Sequence, residues 1–205
     1  MAKSVLSTPM PLILASASPR RRELLASTAM AFQVIPAAVD ERPEPNESAE
    51  VYVRRLALAK AQAVARRHAG VVVVGADTIV TIDGLLLGKP STVEAARSML
   101  QRLSGRMHAV VTGVAVLSMA TAAGSTPPYA GDVITSRVFM HRLTARTIEW
   151  YLATGEPMDK AGAYAVQGLG AALIERVEGS YTNVVGLPLM QTLALLRHYG
   201  MTAEA

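Results

Sequence analysis

The sequence predicts an α/β fold in which a mixed, twisted β-sheet is flanked by helices. Short apolar segments typical of strands alternate along the chain with longer amphipathic segments typical of helices. A hairpin turn signal, Asp83-Gly84, lies between two strand-like segments. Because a hairpin joins antiparallel strands, a mixed sheet is favoured over a purely parallel one. We expect the 205 residues to form one domain with its core at residues 12–199.

The first half of the chain carries clear start and stop signals. Pro19 suits the first turn of a helix, and Ser48 is a suitable N-cap for a longer one. The run of four valines at residues 71–74 is typical of a strand buried on both faces. The predicted elements are a strand at 12–15, a helix at 19–29, a strand at 32–36, a helix at 48–68, and a strand at 71–74 with strand character resuming to residue 82.

The second half predicts two long strands, a shorter strand and three helices. Ser91 and Glu94 fit a capping box, and the helix they begin should end near Gly105. Residues 123–131 are rich in Gly, Ser and Pro and indicate a surface loop, and residues from Met201 onwards should fray. The predicted elements are a helix at 91–105, strands at 109–119 and 133–142, a helix at 144–153, a loop at 161–170, a strand at 171–177 and a helix at 189–199.

Composition narrows the class of protein. The chain is 51% hydrophobic and carries a formal charge of +4, with only 4% aromatic residues and dispersed arginines. Nucleic-acid binding is therefore disfavoured, because the chain lacks a basic cluster and a set of stacking residues. No apolar run reaches the roughly 18 residues of a membrane span, and no secretory signal is evident, so we expect a cytoplasmic protein. The chain has no cysteine, and its four histidines show no metal-ligand spacing.

Lysine is rare in this chain and is placed unusually. The sequence has four lysines against sixteen arginines. Lys60 lies within a predicted helix, Lys89 precedes a proline, and Lys160 lies in a Met-Asp-Lys-Ala-Gly segment. A compact ammonium is not interchangeable with a planar guanidinium, and phosphate is a suitable target for it.

Lys60 is predicted to point toward the protein interior or a cleft. At about 100° per residue, Lys60 shares a helix face with Val53, Leu56 and Val64. A buried ammonium needs a partner, which favours a functional site. The alternative is a lysine whose stem packs while its head reaches solvent. The helix alone leaves both interpretations open.

Further polar residues fall at predicted strand ends and helix starts, where clefts form in α/β folds. Asp77 follows the four-valine strand and is either a general base or metal ligand, or an aspartate that caps a turn. Glu41 follows the second strand, and two carboxylates are enough for magnesium that also binds substrate phosphate. The candidate phosphate-binding residues are Ser16, Ser18, Arg21, Lys60 and Lys89.

An ordered set of motifs closely resembles the Maf family of nucleotide pyrophosphatases. One such motif would be weak evidence, but the motifs occur in the family's order and span most of the chain. They lie at residues 14–21, 39–41, 58–61, 75–78, 88–90, 159–164, 167–168 and 184–188.

The resemblance implies a fold related to that of inosine triphosphate pyrophosphatases, a divalent cation (Mg²⁺ or Mn²⁺), and hydrolysis of a nucleoside triphosphate to monophosphate and pyrophosphate. By resemblance, Asp77 is the catalytic acid/base and also a candidate metal ligand. Glu41 is the second candidate metal ligand. The residues that match the family's polar and basic cleft positions are Ser16, Arg21, Lys60 and Lys89. Asp159 and Lys160 match a later active-site segment of the family.

The resemblance also implies a substrate preference. Arg20, Thr78 and Gln167 match the subgroup that acts on dTTP and UTP, whereas the sister subgroup directed at 7-methyl-GTP has tryptophan at the first position and Ser-Asp-Gln around the aspartate. A polar pocket for pyrimidine carbonyls suits Arg and Gln. Family resemblance further implies a homodimer. An alternative function is a nucleotide-binding regulator of cell division and septum formation with little turnover.

Overall fold

A computed structural model of the protein describes residues 10–119 and 129–202. Its strands are β1 (Leu12–Leu14), β2 (Gln33–Val34), β3 (Val72–Ile82), β4 (Leu85–Leu87), β5 (Met107–Ser118), β6 (Ala130–Met140) and β7 (Ile174–Glu178). Its helices are α1 (Pro19–Ala26), α2 (Ala49–Ala65), α3 (Val93–Leu103), α4 (Ala145–Ala153), α5 (Tyr181–Val185) and α6 (Leu189–Arg197). Short 3-10 segments cover Glu156–Asp159, Ala161–Ala163 and Gly168–Leu173.

The strands form one mixed sheet, which confirms the predicted fold class. The order is β2-β1-β3-β5-β6-β7, with β4 also paired to β3. Strand β1 runs parallel to both β2 and β3, and the other pairs are antiparallel. Helices cover both faces of the sheet, so most strand residues are buried.

Two glycines let helix α2 lie directly on the centre of the sheet. A Cβ atom added to Gly75 of β3 would come within 2.7 Å of the Ala61 backbone nitrogen and even closer to the Ala57 carbonyl oxygen. A Cβ added to Gly113 of β5 would lie 2.9 Å from the Arg54 nitrogen. Since backbone atoms cannot rotate away, only glycine permits this approach. The same approach brings the Lys60 side chain of α2 onto β3.

The structure corrects several element boundaries. Strand β3 is continuous, so Asp77 lies inside it rather than beyond its end. Thr92, not Ser91, is the N-cap of α3, because its hydroxyl accepts the hydrogen bond from the Ala95 amide. Helix α1 ends at Ala26 instead of Ala29, and its last three predicted residues form a turn.

The second half differs from expectation in three places. Helix α5 was not predicted, because its five residues carry too little helical periodicity. The prediction that fraying begins at Met201 is wrong for that residue, which is 7% exposed and packs in the core under α6. Most of the predicted surface loop lies outside the described residues, and its last two positions, Ala130 and Gly131, belong to β6. No helix in the described part of the chain is long and apolar enough to cross a membrane.

His108 of β5 is buried, so we expect the free energy of unfolding to depend on pH. It is 1% exposed, and its Nε2 atom lies 2.7 Å from the Tyr164 hydroxyl. Burial lowers the pKa of His108 to about 4, so the unfolded chain binds the additional proton between that value and roughly 6.5. The free energy of unfolding should therefore fall by about 3 kcal/mol from this residue as the pH drops from 6.5 to 4.

Denaturant unfolding at several pH values checks this prediction. His108→Gln keeps a hydrogen-bonding group near Tyr164 and does not titrate. Its free energy of unfolding should depend less on pH over this range than that of the wild-type protein. Parallel curves for the two proteins would show that His108 is not buried in its neutral form.

Candidate active site

A gap along one edge of β3 creates the cleft. Strand β5 pairs with one edge of β3 over almost its whole length, so β1 and β4 must share the other edge. Pairing with β1 ends at Val74, and pairing with β4 begins at Val80. The stretch between them carries Asp77 and Thr78. The loop after β1 and the chain after β4 border this gap and line the cleft.

Strand alternation places Asp77 and Thr78 on opposite faces of the sheet. Asp77 contacts Lys60 of α2, while Thr78 contacts Arg21 of α1 and Thr112 of β5. Both residues line the same cleft. The unpaired stretch of β3 therefore presents two different polar groups to one ligand.

Lys60 joins the two predicted carboxylates. Its Nζ atom lies 2.6 Å from Asp77 Oδ1 and 2.6 Å from Glu41 Oε1. The side chains of Lys60 and Asp77 are 9% and 8% exposed, and that of Glu41 is 53% exposed. The Lys60 ammonium is thus buried and paired with carboxylates. Of the two interpretations that the sequence left open, this supports the buried, partnered ammonium and contradicts a lysine whose head reaches solvent.

Glu41 is ionised at neutral pH. Partial burial acts to raise the pKa of Glu41, but the hydrogen bond from Lys60 and the charges of Lys60, Lys89 and Arg21 outweigh it, so this pKa lies below its ordinary value. The Tyr52 hydroxyl donates a 2.9 Å hydrogen bond to the Glu41 carbonyl oxygen and fixes the backbone there. Burial, together with the charges of Asp77 and Glu41, raises the pKa of Tyr52 to about 12.

Arg21 lines the cleft, and its side chain is held by three hydrogen bonds. Its Nε atom donates to the Gly186 carbonyl oxygen at 2.7 Å, Nη2 to the Thr78 hydroxyl at 3.0 Å, and Nη1 to the Ser16 hydroxyl at 3.3 Å. Burial lowers the pKa of Arg21, against the opposing charges of Asp77 and Glu41. An arginine keeps its proton at neutral pH even so, and Arg21 is therefore a fixed positive charge.

Ser16 and Ser18 shape the turn that delivers Arg21. Ser18 is the N-cap of α1, and its hydroxyl accepts from the Arg21 amide. The Ser16 hydroxyl accepts from the Ser18 amide at 3.2 Å. Pro19 occupies the first helical turn, as predicted.

A second group of charges in the cleft lies around Asp159. Arg20 donates to Asp159 Oδ2 at 3.1 Å, and Lys160 Nζ lies 2.6 Å from Asp159 Oδ1. Partial burial acts to raise the pKa of Asp159, but its hydrogen bonds with Lys160 and Arg20 lower it overall. Lys89, just after β4, is exposed, and Gln167 is partly buried.

All twelve site residues predicted from the sequence line one cleft of about 860 Å³. This volume lies within the usual range for small-molecule sites, roughly 300–1,000 Å³. The residues are Ser16, Ser18, Arg20, Arg21, Glu41, Lys60, Asp77, Thr78, Lys89, Asp159, Lys160 and Gln167.

Sequence reasoning missed three residues that hold the site together. The Thr112 hydroxyl lies 2.9 Å from that of Thr78 and donates to the Asn183 carbonyl oxygen. Asn183 is fully buried and donates through its amide to Val110 and Ser136. The Tyr52 hydroxyl donates to the Glu41 carbonyl oxygen. The only sequence signal for these residues is a polar group at an otherwise apolar position, which does not indicate what it contacts.

Replacing Lys60 by methionine should destabilise the fold. Lys60→Met leaves the buried Asp77 carboxylate without its direct cation, so we expect the free energy of unfolding to fall by about 3 kcal/mol. Lys89→Met is the matched control, because Lys89 is exposed, and it should change that free energy by less than about 1 kcal/mol. Urea unfolding measures both. Equal, small effects would mean that water solvates Asp77 adequately without Lys60.

The carboxylates fit a metal ion that arrives with a substrate. Glu41 and Asp77 meet at one ammonium and are close together. Within residues 10–119 and 129–202, no group of three or more His, Cys, Asp or Glu residues could hold a metal ion. Magnesium commonly takes one or two protein carboxylates and completes its shell with water and substrate phosphate. The Glu41 and Asp77 carboxylates therefore suit a cation that is shared with a substrate phosphate.

The geometry of the cleft defines a class of protein. An α/β sheet opens at a strand gap, and the gap is bordered by buried and exposed cations together with two adjacent carboxylates. Such a cleft belongs to a protein that binds a small, negatively charged molecule.

The chain belongs to the Maf family, because the model of that family, described as Maf-like protein, matches residues 11–199. A protein from Myxococcus xanthus named dTTP/UTP pyrophosphatase is 52% identical over 190 residues, which are 93% of each chain. A protein of the same name from Symbiobacterium thermophilum is 49% identical over 189 residues, 92% of this chain and 94% of that one. The family predicted from the ordered motifs is thereby confirmed.

The solved structures that match include a nucleoside-triphosphatase described as a dITP/XTP pyrophosphatase from Mycobacterium abscessus. It is 17% identical, with a TM-score of 0.41, and the alignment covers 66% of this chain and 77% of that one.

Proposed function

We propose that this protein is a nucleoside triphosphate pyrophosphatase that hydrolyses dTTP and UTP to the nucleoside monophosphate and pyrophosphate. Relatives of about 50% identity over more than nine tenths of the chain are named dTTP/UTP pyrophosphatase. The observation that carries the proposal is the contact of Lys60 with both the buried Asp77 and Glu41, in a cleft lined by further cations.

Asp77 is the proposed general base. Lys60 engages one carboxylate oxygen, Oδ1, and no other residue of the described chain donates to the second, Oδ2. Asp77 Oδ2 accepts a proton from a water molecule as the water oxygen attacks the α-phosphorus. The bond between the α-phosphorus and the bridging oxygen breaks, and pyrophosphate leaves with its electron pair. Ionic pairing with Lys60 keeps Asp77 oriented toward the attacking water.

The surrounding cations stabilise the charge that develops during this step. Arg21 is fixed by three hydrogen bonds and needs no rearrangement when charge appears, which is the condition for effective electrostatic catalysis. Lys89 is exposed at the cleft wall and is suited to the leaving pyrophosphate. A divalent cation bound by Glu41, Asp77 and the phosphates would polarise the phosphate oxygens.

Gln167 is the proposed direct reader of the base. The Thr78 hydroxyl is engaged by Arg21 and lies against Thr112, and Arg20 is paired with Asp159. We propose that Thr78 affects specificity through the position of Arg21, and that Arg20 acts together with Asp159. Gln167 offers an amide to the carbonyl and imide groups shared by thymine and uracil. The metal requirement and the homodimer stay predictions from the family resemblance, and the cytoplasmic location stays a prediction from the sequence composition.

A panel of nucleoside triphosphates tests the proposal. Purified protein is incubated with each nucleotide and Mg²⁺ or Mn²⁺, and pyrophosphate, monophosphate and free phosphate are measured separately. Pyrophosphate release from dTTP and UTP, and little from dCTP or purine nucleotides, is expected. Release from a purine nucleotide alone would refute the specificity, and nucleotide binding without release would favour the regulatory alternative.

A further inference from the structure

Glu156 and Tyr151 form a hydrogen-bonded pair beside the cleft. Tyr151, in α4, is fully buried, and its hydroxyl donates to Glu156 Oε1 at 2.8 Å. Neither residue lines the cleft. Their hydrogen bonds instead lead to the segment at residues 165–170, which carries Gln167.

The pair holds this segment at both ends. At its start, the Ala165 amide donates to the Tyr151 hydroxyl at 3.2 Å. At its end, the Leu169 amide donates to Glu156 Oε2 at 3.1 Å, and the Gly170 amide donates to Glu156 Oε1 at 2.9 Å. Gln167 lies midway between the two attachments, so its backbone position depends on both of them.

Two glycines show how closely the segment fits the pair. A Cβ on Gly168 would lie 2.7 Å from Glu156 Oε2, and Gly168 also has a left-handed φ of 63°. A Cβ on Gly170 would lie 2.5 Å from the Tyr151 hydroxyl oxygen. The backbone therefore reaches its two hydrogen-bond acceptors only because both positions lack a side chain.

The Glu156 carboxylate remains ionised at neutral pH. Partial burial acts to raise the pKa of Glu156, but the hydrogen bonds from Gly170, Tyr151 and Leu169 lower it below its ordinary value. The Glu156 carbonyl oxygen also accepts from Lys160 Nζ at 2.9 Å. The same residue thus connects the Gln167 segment to the charged wall of the cleft.

We propose that Glu156 and Tyr151 are positioning residues for Gln167 and thereby help to discriminate dTTP and UTP from dCTP, a role that rests on the proposed function. A side chain that reads a base must be held within a fraction of an ångström. A loop held by two flanking hydrogen-bond attachments satisfies this requirement. Loosening either attachment allows Gln167 to adopt positions that no longer distinguish the oxygen at C4 of uracil from the amine of cytosine.

Glu156→Gln tests the proposal, because the amide cannot accept hydrogen bonds at both of its terminal atoms. The ratio of kcat/KM for dTTP to that for dCTP should fall roughly tenfold. The fall should come mainly from a higher KM for dTTP, with kcat within about threefold of wild type. Tyr151→Phe, which removes only the hydroxyl, should shift the ratio in the same direction. Glu149→Gln, at an exposed position of α4, is the matched control and should leave the ratio unchanged.

A double substitution separates positioning from general damage. Gln167→Ala removes the proposed reader, so adding Glu156→Gln to it should change the ratio by less than about twofold. Unchanged discrimination in Glu156→Gln and Tyr151→Phe would overturn the positioning role, as would an equal fall of kcat for every nucleotide. Wild-type protein that releases no pyrophosphate from dTTP would refute the proposed function and this role with it.

Discussion

Asp77→Asn is expected to lower kcat for dTTP hydrolysis about 10³-fold, the usual scale of a lost general base. Asparagine has nearly the same shape, and its amide oxygen can still accept the hydrogen bond that Lys60 now donates to Asp77 at 2.6 Å. What it cannot do is accept a proton from water. Nucleotide affinity should therefore remain measurable, within about an order of magnitude of the wild-type value. Single-turnover kinetics and direct binding measurements together separate the two quantities.

Asp83→Asn is the matched control for this experiment. Asp83 follows the same strand, β3, but forms an exposed ion pair with Arg106, and its left-handed φ of 53° is one that asparagine adopts readily. We expect wild-type turnover from this variant. Full activity in Asp77→Asn would remove Asp77 from the role of base. Loss of binding equal to the loss of turnover would assign it to holding the nucleotide instead.

Gly75→Ala should lower the free energy of unfolding by about 3 kcal/mol. The new methyl group would meet backbone atoms of Ala57 and Ala61 in α2, and these cannot rotate out of the way. Helix α2 must move off the sheet, which also carries Lys60 away from Asp77. We therefore expect activity to fall together with stability.

Gly88→Ala provides the comparison, because its added methyl group would lie 4.0 Å from the nearest atom, the Ile79 Cδ1. Its free energy of unfolding should stay within about 1 kcal/mol of wild type. Urea unfolding of the two variants measures the difference. A Gly75→Ala protein as stable as Gly88→Ala would show that the contact of α2 with β3 can widen at little cost.

The fold class could be predicted because it depends on local patterns. Alternating strand-like and helical segments and the Asp83-Gly84 turn indicated a mixed sheet, and the four-valine run marked its centre. The face of α2 that carries Lys60 followed from helical spacing alone. The continuity of β3 through Asp77 could not be predicted in this way, because Gly75 and Asp77 both disfavour strands and only the full pairing with β5 overrides that preference.

The composition of the site was also accessible from the sequence, while the contacts within it were not. The ordered motifs identified twelve residues, and all of them line the cleft. Nothing in the sequence shows that Thr78 contacts Arg21, that Arg20 pairs with Asp159, or that Glu156 holds the Gln167 segment. These partners are separated by 57, 139 and 13 positions in the chain.

The sequence by itself determined the sheet, the helix faces and the family, since periodicity, turn residues and ordered motifs are properties of neighbouring residues. Only the tertiary structure decided where the sheet opens. That opening depends on where β1 stops and β4 begins along one edge of β3, and on a helix that approaches through two glycines. Both are relations between distant segments, and together they turn scattered lysines, arginines and carboxylates into one charged cleft.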